Sequence, residues 1–68
     1  SFPTREKEKI VILREITKLM NSRQTYTEKE LNEVLKKVYD DFALIRRYLI
    51  QYGFLDRKND GSAYWLKK

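Results

Sequence analysis

The sequence predicts an α+β fold, mainly α, of the winged helix-turn-helix kind: three helices followed by a C-terminal β-hairpin. Three observations predict it. Apolar residues recur at helical spacing as far as Tyr52 and give way to short, aromatic-rich segments after Gly53. The second and third helical patterns are separated by only a residue or two around Tyr39, so those helices are expected to cross steeply. Asp60-Gly61 then stands as a turn signal between two extended segments.

The elements follow in order. Residues 5–20 read as the first helix, with Thr4 as N-cap after Pro3. Ile12, Leu13, Ile16, Leu19 and Met20 fall on one arc of its wheel, whereas Ile10 and Val11 lie off that arc. Residues 21–25 form a polar connection that ends in a short extended piece. Thr27 and Glu30 have the spacing of a capping box, and Tyr26 and Leu31 that of a hydrophobic staple. Leu31, Val34, Leu35 and Val38 form the stripe of the second helix, which is expected to end near Val38. Asp40 or Asp41 caps a third helix over residues 41–52, whose stripe is Phe42, Ile45, Leu49 and Tyr52 with Tyr48 at its margin. Gly53 occupies the place of a left-handed C-terminal residue. Phe54–Arg57 and Ala63–Leu66 are the hairpin strands, whose apolar face closes the open side of the three helices. Tyr64 and Trp65 point to opposite sheet faces, so one of the two belongs to the core.

With 68 residues the chain makes one domain, 1–68, with no internal repeat and no linker. It opens on Ser1 rather than methionine, which suggests a piece of a longer regulator or a processed chain. A chain this short is expected to be marginally stable, by about 3–5 kcal/mol. It has no cysteine and no histidine, which removes disulfides, thiolate metal sites, the usual general base and every triad built on them. The pair Asp40 and Asp41 lacks companion ligands for a metal. No phosphate-binding glycine loop is present, and so small a core leaves little room for a pocket. No enzyme activity and no cofactor are therefore expected. No apolar run reaches the ~18 residues of a membrane span, and the expected location is the cytoplasm.

The net charge is +5, and its distribution says more than its size. Residues 1–25 carry +3 and residues 53–68 carry +2, while the stretches between them are neutral. Such an excess suits a polyanionic partner. The outer face of the third helix carries Ala43, Arg47, Ile50 and Gln51, with Arg46 on the flank. In a helix-turn-helix this face enters the major groove, where arginine pairs with guanine, glutamine with adenine, and small or apolar groups meet a thymine methyl. Arg57 and Lys58, with Lys67 and Lys68 further on, are placed to hold phosphates from the wing. The plainer alternatives are a solvated helix whose arginines pair with neighbouring acids, and hairpin lysines that keep an exposed edge soluble. Asp40 and Asp41 would repel a phosphate backbone at the start of the third helix, and the capping role accounts for one of them. The first turn of the second helix, with Thr25, Thr27 and Lys29, is a further phosphate candidate, opposed by Glu28 and Glu30.

The segments FPTREKEKIVILREI, YTEKELNEVL, DFALIRRYLIQYGFLDR and DGSAYW resemble a bacterial family of domains of unknown function. That family is found in proteins taken as transcriptional regulators, sometimes behind an ArsR-type helix-turn-helix domain. The resemblance spans nearly the whole chain, and its most specific pieces are Tyr26–Glu28, Asp41–Ala43 with Arg46 and Arg47, and Asp60–Trp65. It implies a winged-helix-like fold and an association with transcription. The leading expectation is a domain that binds double-stranded DNA through Ala43, Arg46, Arg47, Ile50, Gln51, Arg57 and Lys58. The alternative is a protein-interaction module that pairs with a second copy or another domain of the same regulator. Its contacts would be Ile10, Val11, Ile50 and one hairpin aromatic.

Overall fold

A computed structural model describes residues 2–67. Ser1, read as a cut end, and Lys68, read as a phosphate contact, lie outside the described residues. Three helices are followed by a two-stranded antiparallel hairpin: α1 (Glu6–Thr17), α2 (Glu28–Leu35), α3 (Phe42–Gln51), β1 (Leu55–Arg57) and β2 (Tyr64–Leu66). No helix among the described residues is long and apolar enough to cross a membrane.

The first helix starts one residue later than expected. Arg5, not Thr4, is the N-cap: its backbone is still extended, its carbonyl accepts the first helical bond from Lys9 N–H (2.9 Å), and its side chain makes no capping bond. Ahead of it Phe2 is anchored, stacking on Tyr48 with ring centroids 5.4 Å apart while its N–H donates to Tyr39 Oη (2.8 Å). The helix also ends early. After Thr17 the N–H groups of Lys18, Leu19 and Met20 each bond three residues back instead of four, which tightens the turn. Leu13, Ile16 and Met20 reach the core, but Ile12 and Leu19 do not; Leu19 is 56% exposed.

The second helix is held at its start by the predicted capping box. Thr27 Oγ1 accepts from Glu30 N–H (3.1 Å) and Glu30 Oε1 accepts from Thr27 N–H (2.9 Å). The staple residues Tyr26 and Leu31 are both buried. The helix stops at Leu35, three residues short of expectation, and the N–H groups of Val38 and Tyr39 both bond back to the Leu35 carbonyl. Val38 is therefore 42% exposed, and Val34 is only half-buried. The connection to α3 runs over residues 36–41 and is longer than the residue or two inferred around Tyr39.

Both ends of α3 are closed by local chemistry. Asp41 is the N-cap, with Oδ1 accepting from Leu44 N–H at 3.2 Å, and its charge suits the positive end of the helix. At the other end Gly53 takes φ +81°. Its N–H bonds to the Ile50 carbonyl (3.1 Å) and the Phe54 N–H to the Leu49 carbonyl (2.9 Å), the two bonds of a Schellman motif. That left-handed residue turns the chain from helix to strand and fixes where the hairpin starts.

The strands pair Leu55 with Leu66, Asp56 with Trp65 and Arg57 with Tyr64. The expected extended piece before α2 is a single bridge at Tyr26, which pairs antiparallel with Tyr64. Alternation along β2 resolves the aromatic question: Tyr64 is buried and Trp65 is half-buried on the other face. Leu13, Leu31, Leu35, Ile45, Leu49 and Leu55 are wholly buried, so every helix and the hairpin feed one core. At roughly 1.5–3 kcal/mol per buried aliphatic side chain, these six supply much of the burial term.

Candidate nucleic-acid interface

The buried stripe of α3 sets what its opposite face shows. With Ile45 and Leu49 wholly buried, Ala43, Arg47, Ile50 and Gln51 come to the outer side. Because the Schellman turn sends the chain directly into β1, the hairpin rises beside that face. The result is an open groove of about 380 Å³ lined by Ala43, Arg46, Arg47, Ile50, Gln51, Arg57 and Tyr64. Six of the seven residues singled out from the sequence meet there. Lys58 does not line the groove; it is exposed at the start of the hairpin loop.

The basic groups differ in how they are held. Arg47 is exposed and free to extend. Arg57 folds over the hairpin turn, where Nη1 donates to the carbonyls of Lys58 and Asn59 (3.2 Å each). It thus braces the turn while its charge stays at the groove edge. Gly61 closes that turn with φ +75°, its N–H bonded to the Lys58 carbonyl at 2.9 Å. Asp60 accepts from Ser62 N–H (2.9 Å), and hydrogen bonding by Ser62, from its side chain first and then from this N–H, holds the Asp60 carboxyl below the usual carboxylate range. The hairpin tip therefore carries one fixed negative charge beside its two positive ones.

Arg46 is turned differently. Its guanidinium Nη1 donates to Asn32 Oδ1, and Nη2 lies 3.6 Å from Glu28 Oε1, both on α2. Its side chain is only 21% exposed. Tyr64 Oη reaches toward the same Glu28 oxygen at 3.5 Å. Tyr64, Asn32 and Glu28 did not figure among the sequence candidates for this site. The available signal was that Glu28 and Asn32 stand one helical turn apart, on one face of α2.

The other candidates lie elsewhere. Asp41 is occupied as the α3 cap, and Asp40 is exposed beside Lys36, Lys37 and Tyr39 in a separate surface hollow. At the start of α2 the Thr27 hydroxyl and N–H are both used by the capping box, and Glu28 and Glu30 occupy the first turn. That arrangement disfavours a phosphate there. Lys67 lines a third hollow with Arg23, Thr25 and Trp65, on the sheet face away from Tyr64. Val11 is 56% exposed, and with Pro3, Lys7, Glu8 and Ile12 it lines an apolar patch on α1; Ile10 is half-buried.

Residues 1–66 match the family described as uncharacterized protein conserved in bacteria (DUF2087), and the chain belongs to that family. Comparison with curated proteins and comparison with solved structures each found no match.

Proposed function

We propose that this DUF2087 domain is a winged-helix DNA-binding domain of a bacterial transcriptional regulator, acting in the cytoplasm. The observation that carries the reading is the single groove shared by the outer face of α3 and Arg57 of the hairpin. The outward face of a single α-helix suits the major groove, which admits one. Gln51 meets a base edge, its amide matching the acceptor and donor of an adenine, and Arg47 faces bases and backbone, its paired donors matching the two acceptors of a guanine or the oxygens of a phosphate. Ala43 and Ile50 supply the small and apolar surface that a thymine methyl fits. Arg57 and Lys58 hold phosphates, which fixes register without reading sequence. The excess of positive charge, +5 over the chain, supplies generic attraction to a duplex.

Fluorescence anisotropy with a pool of mixed duplexes tests this. Binding is expected at micromolar protein in low salt. If Arg47, Arg57 and Lys58 each neutralise one phosphate, log K falls against log salt with a slope of about −2.7. Absence of binding, or a flat salt response, rejects the reading.

One observation favours a second reading. The apolar patch of Val11, Ile12 and Pro3 on α1 is a surface that protein partners use. On that reading the domain is an interaction or dimerisation module of a regulator. Self-association in sedimentation, insensitive to salt and abolished by Val11→Asp, would support it; a protein that stays monomeric at high concentration removes the dimer form.

A further inference from the structure

We infer that Arg46 is a positioning residue: it clasps α3 to α2 and sets how Arg47 and Gln51 are presented, without itself contacting DNA. The inference rests on the DNA-binding reading above and assigns a different role to one residue of that surface. Two donors of the Arg46 guanidinium are directed at α2, one to Asn32 Oδ1 and one toward Glu28 Oε1 at 3.6 Å. Its neighbour Arg47 is exposed, whereas Arg46 keeps 21% of its side-chain surface. Reaching a phosphate would mean leaving both partners and stranding the amide oxygen of half-buried Asn32.

The clasp has a geometric purpose. Otherwise α2 and α3 meet through Leu31, Leu35, Ile45 and Leu49, and apolar contact is non-directional. It holds the helices together but supplies no directional bond between α2 and α3 that fixes rotation of α3 about its own axis. With side-chain tips roughly 5–6 Å from the axis, a rotation of about 20° displaces them by roughly 2 Å. Recognition geometry tolerates on the order of 0.5 Å and 10–20°. A guanidinium hydrogen-bonded to Asn32 and ion-paired with Glu28, one helical turn apart on α2, restrains that rotation. Glu28 also lies near Tyr64 Oη (3.5 Å), so the same carboxylate links the clasp to β2 at the floor of the groove.

The test compares duplex binding and its salt dependence for the wild type, Asn32→Ala, Arg46→Gln and Arg47→Gln. Asn32 lines no part of the groove, so a loss of affinity in Asn32→Ala reports on the clasp alone. Asn32→Ala and Arg46→Gln are each expected to weaken binding roughly threefold to tenfold, the effect of one net hydrogen bond. The double variant should be no weaker than the worse single, and the salt slope should stay at the wild-type value. Arg47→Gln should instead reduce the slope by about 0.9. A slope reduced in Arg46→Gln as in Arg47→Gln, or wild-type affinity in Asn32→Ala, overturns the inference. Where Arg46→Gln is too unstable to assay, Asn32→Ala carries the comparison. If the wild type binds no duplex, the function proposed above falls by itself. The clasp is then decided in the free protein by urea unfolding of the two singles and the double: coupled losses support it and additive losses overturn it.

Discussion

Tyr26 and Tyr64 exchange two backbone hydrogen bonds, Tyr26 N–H to the Tyr64 carbonyl at 2.7 Å and Tyr64 N–H to the Tyr26 carbonyl at 2.8 Å. This pair pins β2 to the segment entering α2, so the hairpin is held on both sides rather than projecting freely. The amides of both residues should exchange with solvent as slowly as those of the core helices, opening only with global unfolding. Native-state hydrogen exchange checks this. Exchange at the rate of the hairpin loop would mean that the hairpin moves independently.

Leu31 and Leu49 are wholly buried where α2 and α3 cross. Leu31→Ala or Leu49→Ala should cost about 2–5 kcal/mol, a transfer loss plus a cavity. That matches the whole stability expected of so small a domain, about 3–5 kcal/mol. Urea denaturation at 25 °C should find these variants largely unfolded, whereas Val38→Ala, at an exposed site, should stay close to wild type.

The capping bonds predict smaller, separable effects. Thr27→Ala removes the acceptor for Glu30 N–H, and Asp41→Ala the acceptor for Leu44 N–H. Each should lower the unfolding free energy by about 0.5–2 kcal/mol. Gly53→Ala tests the left-handed turn alone, since nothing lies within 4 Å of the added Cβ. Its cost, about 1–2 kcal/mol, is the strain of φ +81° in a residue bearing a Cβ. A neutral result at Gly53 would mean that the helix end has relaxed away from the Schellman geometry.

Tyr52 Oη donates to Glu6 Oε1 at 2.6 Å, tying the end of α3 to the start of α1. The bond to that carboxylate pushes the phenol pKa up from 10.0 to about 12. Folding favours the neutral phenol, so the contact contributes fully below pH 10.0 and is lost as pH rises through about 12. Ultraviolet titration of the phenolates should show one tyrosine ionising near pH 12 in the wild type and nearer its ordinary value in Glu6→Ala.

Much of this fold is legible in the sequence because its signals are local. The capping box, the Asp41 cap and the left-handed Gly53 each depend on residues within a few positions of one another, and each stands where its spacing puts it. The outward face of α3 followed for the same reason: once Ile45 and Leu49 face in, the opposite side is determined. The errors fall where helices end. Leu19 and Val38 continue an apolar stripe on paper, but both lie past the last residue of their helices, where the chain tightens and rotates them outward. The direction of Arg46 was not legible, because it depends on the crossing of α2 and α3 and on which acceptors that crossing brings within reach. Nor could alternation alone choose between Tyr64 and Trp65, since it fixes that they differ and not which one faces the helices.

Amide chemical-shift mapping during a duplex titration shows whether the surface between α3 and the hairpin takes up DNA, as proposed. Shifts concentrated at Ala43, Arg47, Ile50, Gln51, Arg57 and Lys58, growing as salt is lowered, are expected. Shifts confined to Val11 and Ile12 on α1, or none at all at saturating duplex, would contradict the proposal.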